Sequence, residues 1–266
     1  MNALKSRLLS LQRQAGVVPP PLVPKDDVRK KLARLLGTRE RVARAALAAP
    51  VGEEIASGVY TVEHSRSADF ADDVRVPWIE QPIARERIVC FDTETTGLAG
   101  GVGTKAFMIG WAMWRGDRLV TRQLYLTALR GEDAMLREFS AALPRDPVFV
   151  SYNGKSYDAP LLKGRYRINR QRHPFDEALH IDLLHPTRRR YRGVWENCRL
   201  KTVERELLGI VREDDLPGAE APAAWLDFLR GRSSRNLGRV VDHNRQDVVT
   251  LARLLDHFQD ADHSSS

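Results

Sequence analysis

An apolar run, Ile88-Val89-Cys90-Phe91, stops at Asp92 and gives way to Thr93-Glu94-Thr95-Thr96-Gly97-Leu98. Apolar β-formers followed by polar residues and glycine read as a buried strand whose C-terminal end opens into a loop. Side chains alternate along a strand, so Asp92 and Glu94 share one face. Left unpaired beside a core, the two carboxylates would repel each other and lose hydration at large cost. A divalent cation removes that cost, because hard ions such as Mg²⁺ take carboxylate oxygens. Taken alone, an Asp-x-Glu favours the plainer reading of a strand-end turn with exposed acids. The rest of the chain reverses that preference.

The 266 residues suit one domain with an extension. No apolar run is long enough to span a membrane. The net charge of +7 favours a polyanionic partner such as nucleic acid, although a basic, arginine-rich composition alone would give the same value. Cys90 and Cys198 form neither a metal-ligand spacing nor a disulfide framework, which fits a reducing cytoplasm. Residues 1–25 lack acids, and Lys5, Arg7 and Arg13 flank Leu4, Leu8 and Leu11. A transit peptide has this look, but a basic amphipathic helix accounts for it better.

The spacing predicts a helix over 1–18, a break at Pro19-Pro20-Pro21, and a basic helical stretch from Asp26 to Ala49. Weak strand signals surround Gly58–Val62. Residues 1–85 are therefore expected to form a basic, helical and linker-like extension. Residues 86–258 form the expected catalytic unit, and 259–266 a disordered tail. Strands are expected near 88–92, 107–114 and 119–126, the three joined closely as an antiparallel meander. A helix over 132–143, a strand over 147–151, a helix over 157–167 and a short strand at 181–184 follow. Helices then dominate, over 200–208, 223–230 and 237–258. The expected class is α/β, a mixed sheet flanked by helices.

The last helix places Leu237, Val241, Val248, Leu251, Leu255 and Phe258 in one apolar stripe, with Asp247 within about 50° of its centre. A carboxylate aimed at the core side needs a cation or several donors, and an arginine would serve as well as a metal. Asp158 follows a strand and a polar turn, so it opens a helix at that strand's C-terminal end; an acid there also suits the helix dipole. Gly154-Lys155-Ser156 ends like a phosphate-binding loop, but the motif requires glycine where Phe149 stands.

Phe91-Asp92-Thr93-Glu94-Thr95-Thr96-Gly97-Leu98, Asn153 to Asp158 and His243-Asn244-Arg245-Gln246-Asp247 resemble the three motifs of the DEDD-type 3′–5′ exonucleases, in order and spacing. Asp182-Leu183-Leu184-His185-Pro186, Leu200-Lys201-Thr202-Val203-Glu204 and His243-Asn244-x-x-Asp247 are similar to the YprB-like group of predicted nucleases. The resemblance covers about residues 86–258. It implies a ribonuclease-H-like fold and a two-metal phosphodiesterase acting on DNA or RNA, with a single-stranded 3′ end favoured. Asp92, Glu94, Asp158 and Asp247 would hold two Mg²⁺ or Mn²⁺ ions. Asp182 is either a fifth, supporting acid or a capping residue. A catalytically weak nucleic-acid-binding module and a ribonuclease-H-like endonuclease are the competing readings.

The family carries Tyr four residues before its last Asp, or His five before it. Here His243 stands at the tyrosine spacing and Asp242 at the histidine spacing. Helical rotation sets His243 about 40° from Asp247 and Asp242 about 140° away. A neutral His243 can then accept a proton from the attacking water, and is not expected to ligate metal. Lys163, Arg165, Arg167, Arg170, Arg172 and Arg188 to Arg190, interleaved with Tyr157, Tyr166 and Tyr191, suit either phosphate contact with base stacking or a solvated face.

Overall fold

The computed structural model describes residues 51–68, 70–97 and 103–260. The expectations for residues 1–50 and for residues 261–266 of the tail fall outside the described residues, while Gln259 and Asp260 continue the last helix. Among the described residues no helix is long and apolar enough to cross a membrane.

Seven strands form one mixed sheet in the order β1-β2-β7-β6-β5-β8-β9. They are β1 (Glu53–Ala56), β2 (Val59–Ser67), β5 (Ile88–Thr95), β6 (Ala106–Arg115), β7 (Arg118–Leu126), β8 (Val148–Ser151) and β9 (His180–Asp182). A separate two-stranded ribbon pairs β3 (Asp73–Val74) with β4 (Ile83–Ala84). The expected meander is present: β5, β6 and β7 pair antiparallel, with Asp92 opposite Gly110 and Gly110 opposite Gln123. β8 and β9 then add in parallel to the other side of β5. Both ends of the sheet thus leave β5 central, which is why its apolar run is buried throughout.

Residues 53–67 correct the expectation of a helical, linker-like stretch ahead of Arg85. They form two strands, and β2 pairs along its length with β7 from Val59–Leu126 to Ser67–Arg118. Their signal was weak because only Val59 and Val62 of β2 are buried, and, three residues apart, they make no period-two apolar pattern.

Helices α1 (Glu132–Ala142) and α2 (Asp158–Ile168) cover one face of the sheet, where Phe91, Trp111 and Phe149 meet Met135, Phe139, Leu162 and Tyr166. The chain continues through α3 (Leu184–Tyr191) and α4 (Leu200–Val203), which runs into a π turn over Glu204–Leu208, and α5 (Ala221–Leu229). The 26-residue α6 (Arg235–Asp260) lies across the other face, burying Val248, Leu251 and Leu255 against Cys90, Ala112 and Val150. All six residues of its expected stripe are buried.

The basic stretch on α2 divides. Arg167, Arg170 and Arg172 are exposed. Arg165 instead is buried and grips Glu132 of α1 through two hydrogen bonds, one of 2.7 Å from Nη2 to Oε2. Tyr166 is fully buried, with its hydroxyl donating to the Leu136 carbonyl. Neither side chain is placed to meet a nucleic acid. α2 buries its Leu162 face, and both residues belong to that side rather than to the solvent side.

Candidate active site

Strand alternation decides where the motif-bearing side chains of β5 go. Asp92 and Glu94 continue the Ile88 and Cys90 face, toward α6, whereas Thr93 continues the Phe91 face, toward α2. Asn244 of α6 reaches down to this end of β5 and donates from Nδ2 to Asp92 Oδ2 at 2.9 Å. Its Oδ1 accepts from Gln123 Nε2 at 3.0 Å. Gly110, between Asp92 and Gln123 in the sheet, makes this contact feasible, since a Cβ there would stand 1.8 Å from Asn244 Oδ1. Asn244 is wholly buried, and sequence reading gave it no role beyond its place in the third motif.

Asp158 arrives from β8 through the turn Tyr152–Tyr157 and opens α2, as its sequence position implied. Thr93 Oγ1 donates to Asp158 Oδ1, which ties the first and second motifs together. Asn153 takes a left-handed backbone with φ 67°. Gly154 packs so closely on Ser151 that a Cβ would meet its Oγ at 2.6 Å. Asp182, buried at the end of β9, accepts from the backbone N–H groups of Asn153 (2.7 Å), Lys155 (3.1 Å) and Leu184 (3.1 Å). Through these bonds Asp182 holds the turn that delivers Asp158. A cleft of about 270 Å³ opens beside them, lined by Asp92, Asp158, Tyr152, Tyr157 and Leu161, with Tyr157 exposed.

Asp247 and His243 project from one side of α6, as the helical spacing requires, with His243 Nε2 3.5 Å from Asp247 Oδ2. Asp242 points to solvent and pairs with Arg245. Two further residues come from the loop after α4. Arg212 donates twice to the fully buried Glu204, at 2.6 and 2.7 Å, and also donates from Nη2 to Asp247 Oδ1. Asp215 Oδ1 lies 2.6 Å from His243 Nδ1. The sequence held no periodic signal for Arg212 or Asp215. They sit in an irregular segment, and only the folded chain brings them to α6.

The electrostatics identify the cluster as short of positive charge. Burial pushes Asp92 well above the usual carboxylate range, and the charges of Asp247, Asp158 and Glu94 push it further. Glu94 is raised in the same way, by burial and then by Asp247 and Asp158. Burial lifts Asp158 to about 6 despite the Thr93 hydrogen bond. Asp247 is also raised by burial, with Arg212 and His243 opposing. Arg212 offsets only part of this charge, because its single positive charge is shared between Glu204 and Asp247. Divalent cations fit such a donor set: oxygen ligands, negative charge in excess, and an open cleft alongside.

Residues 89–259 match the family model RNase_H_2 of the RNase_H superfamily. The uncharacterized protein YprB of Bacillus subtilis (strain 168) is 37% identical over 175 residues, which is 65% of this chain and 42% of YprB. The chain thus spans less than half of that relative's length. Among solved structures, the family B DNA polymerase of the archaeon Pyrobaculum calidifontis overlaps 75% of this chain and 29% of its own, at 16% identity and a TM-score of 0.49. Exonuclease I in complex with an inhibitor overlaps 59% of this chain and 43% of its own, at 15% identity and a TM-score of 0.40. The family match runs from the second residue of β5 to the last turn of α6 and so takes in all four clustered acids. This chain is a member of the RNase_H superfamily.

Proposed function

We propose that this chain is a metal-dependent nuclease that hydrolyses phosphodiester bonds of DNA or RNA, acting as a 3′–5′ exonuclease on a single-stranded end. The observation that carries the reading is the convergence of Asp92, Glu94, Asp158 and Asp247 from three elements into one charge-deficient cluster. Two Mg²⁺ or Mn²⁺ ions bound there would supply an activated water and neutralise charge on the phosphate and the leaving oxygen. The four carboxylates are the holders. Asn244 fixes which oxygen Asp92 presents, and Thr93 does the same for Asp158. Tyr157, exposed on the cleft wall next to Asp158, offers a ring face to a base.

Purified protein on end-labelled single- and double-stranded DNA and RNA tests this directly. Cleavage should require a divalent ion and stop in EDTA. Asp92→Asn should lower the rate by at least about a hundredfold, since metal-site catalysis supplies several kcal/mol. Stalling at a blocked 3′ end identifies an exonuclease, while cleavage past the block identifies the endonuclease reading. Full activity in EDTA would remove the metal-dependent reading altogether.

A further inference from the structure

We infer that His243 is itself a metal ligand, completing with Glu94 and Asp247 a nitrogen-and-oxygen site that takes a first-row transition ion in preference to Mg²⁺. This departs from the expectation that His243 only orients or deprotonates water. It rests on the metal-dependent reading of the carboxylate cluster, but not on what the enzyme cleaves.

Three observations carry it. First, one ligand atom from each of Glu94, His243 and Asp247 lies within 4.8 Å of the others. Donors bonded to one ion at about 2.0–2.2 Å stand roughly 3–3.6 Å from one another, a spacing that His243 Nε2 and Asp247 Oδ2 already have at 3.5 Å and into which the Glu94 oxygen must be drawn from within 4.8 Å. Second, Asp215 backs the imidazole. Its Oδ1 lies 2.6 Å from Nδ1, beside Arg212 Nη1 at 3.1 Å, and these contacts hold the ring with Nε2 turned toward Asp247. Nε2 faces Asp247 Oδ2 at 3.5 Å. Arg212 occupies the other oxygen, Oδ1, so Oδ2 is the one free to ligate. A carboxylate behind a histidine, holding its far nitrogen, is the usual support of a metal-ligating imidazole. Third, Glu94 is more than nine-tenths buried, yet no hydrogen bond to its carboxylate is found among the described residues. One of its oxygens lies in the same cluster as the His243 and Asp247 ligand atoms.

The donor set argues for the ion class. Mg²⁺ favours all-oxygen, near-octahedral surroundings, whereas an imidazole suits softer first-row ions. Manganese is the useful probe because its unpaired electrons report a bound nitrogen.

The full chain, freed of metal with a chelator, is titrated with Mn²⁺ and examined by pulsed electron paramagnetic resonance. The expected result is ¹⁴N coupling from a directly bound imidazole, with Mn²⁺ binding at least about tenfold tighter than Mg²⁺. His243→Ala should abolish the coupling and level that preference. Asp215→Asn should keep the coupling and weaken Mn²⁺ binding by about 10–100-fold, the range for loss of a supporting partner. His243→Gln, with melting followed in chelator, guards against an alanine variant that does not fold. Absence of ¹⁴N coupling in the parent overturns the inference, and so does coupling that survives in His243→Ala. Nitrogen coupling without cleavage of any nucleic acid would leave the metal site standing and remove the nuclease reading. Failure to bind Mn²⁺ at all would remove both.

Discussion

Gly110 shows how much of the site depends on a single missing side chain. Asp92 can keep its partner only because α6 comes down onto β6 with Asn244 lying over a residue that has no Cβ. Gly110→Ala would drive a methyl to within 1.8 Å of Asn244 Oδ1. Overpacking of this kind costs about 1–3 kcal/mol, read as a lower denaturation midpoint. Activity should fall further than stability explains, because Asn244 must leave Asp92. A Gly110→Ala chain with an unchanged midpoint and full turnover would show that the Asn244 contact does not matter. The acids themselves were legible in the sequence, since carboxylates beside apolar runs stand out against strand and helix periodicity. Gly110 was not, because a glycine inside a strand declares a close approach without naming what approaches. Asp215 and Arg212 were hidden for a related reason. Their partners lie 28 and 35 residues away across irregular chain.

At the scale of elements, α1 and α2 are joined by a buried charge network as well as by apolar packing. Glu132 accepts from Arg165 and Lys105. Burial alone would raise the Glu132 carboxyl, but these hydrogen bonds hold it below the usual range. Its contribution to stability is present above about pH 4.5 and is lost as pH falls through the depressed folded value. Arg165→Met would leave the buried carboxylate with Lys105 alone. Breaking a buried pair costs about 3–5 kcal/mol, so the variant should melt markedly earlier at neutral pH. Its affinity for nucleic acid, measured below its melting temperature, should match the parent. A selective loss of binding with no loss of stability would return Arg165 to the phosphate-contact role. Sequence reading grouped Arg165 with its exposed neighbours because composition does not say which side of a helix a charge occupies. The weak amphipathicity of α2, with Arg165 and Arg167 two residues apart on opposite sides, left that undecided. The long stripe of α6, by contrast, fixed both its span and the side carrying Asp247.

For the whole molecule, the proposed metal site would couple metal, protons and folding. The metal-free fold holds Asp158 at about 6, above its ordinary value near 3.9, and raises Asp92 and Glu94 as well. A carboxyl raised on folding binds more protons in the native state than in the unfolded one. Its favourable contribution is therefore full below about pH 4 and is lost as pH rises through the folded value, about 6 for Asp158. His180 works in the opposite sense. Burial lowers it to about 4, so the native state gains stability between that value and about 6.5. Comparing melting with and without metal at each pH removes His180 from the account, because it contacts Ser151 rather than the acid cluster. A divalent ion competes with the protons that the raised carboxyls retain. The stabilisation by saturating Mn²⁺ over EDTA should thus be small at pH 5, rise through pH 6 and level off by about pH 8. The same measurement on a chain shortened to begin at Ile83, which lacks β1, β2 and β3, should give a lower midpoint in EDTA at every pH. That truncation strips β7 of a nine-pair ladder and of the buried Val59. The metal increment should persist wherever the shortened chain still folds, since none of the four acids lies on the deleted strands. An increment equal at pH 5 and pH 8 in the full chain would mean that the ion does not displace protons from these carboxylates, and the cluster would lose its standing as the metal site.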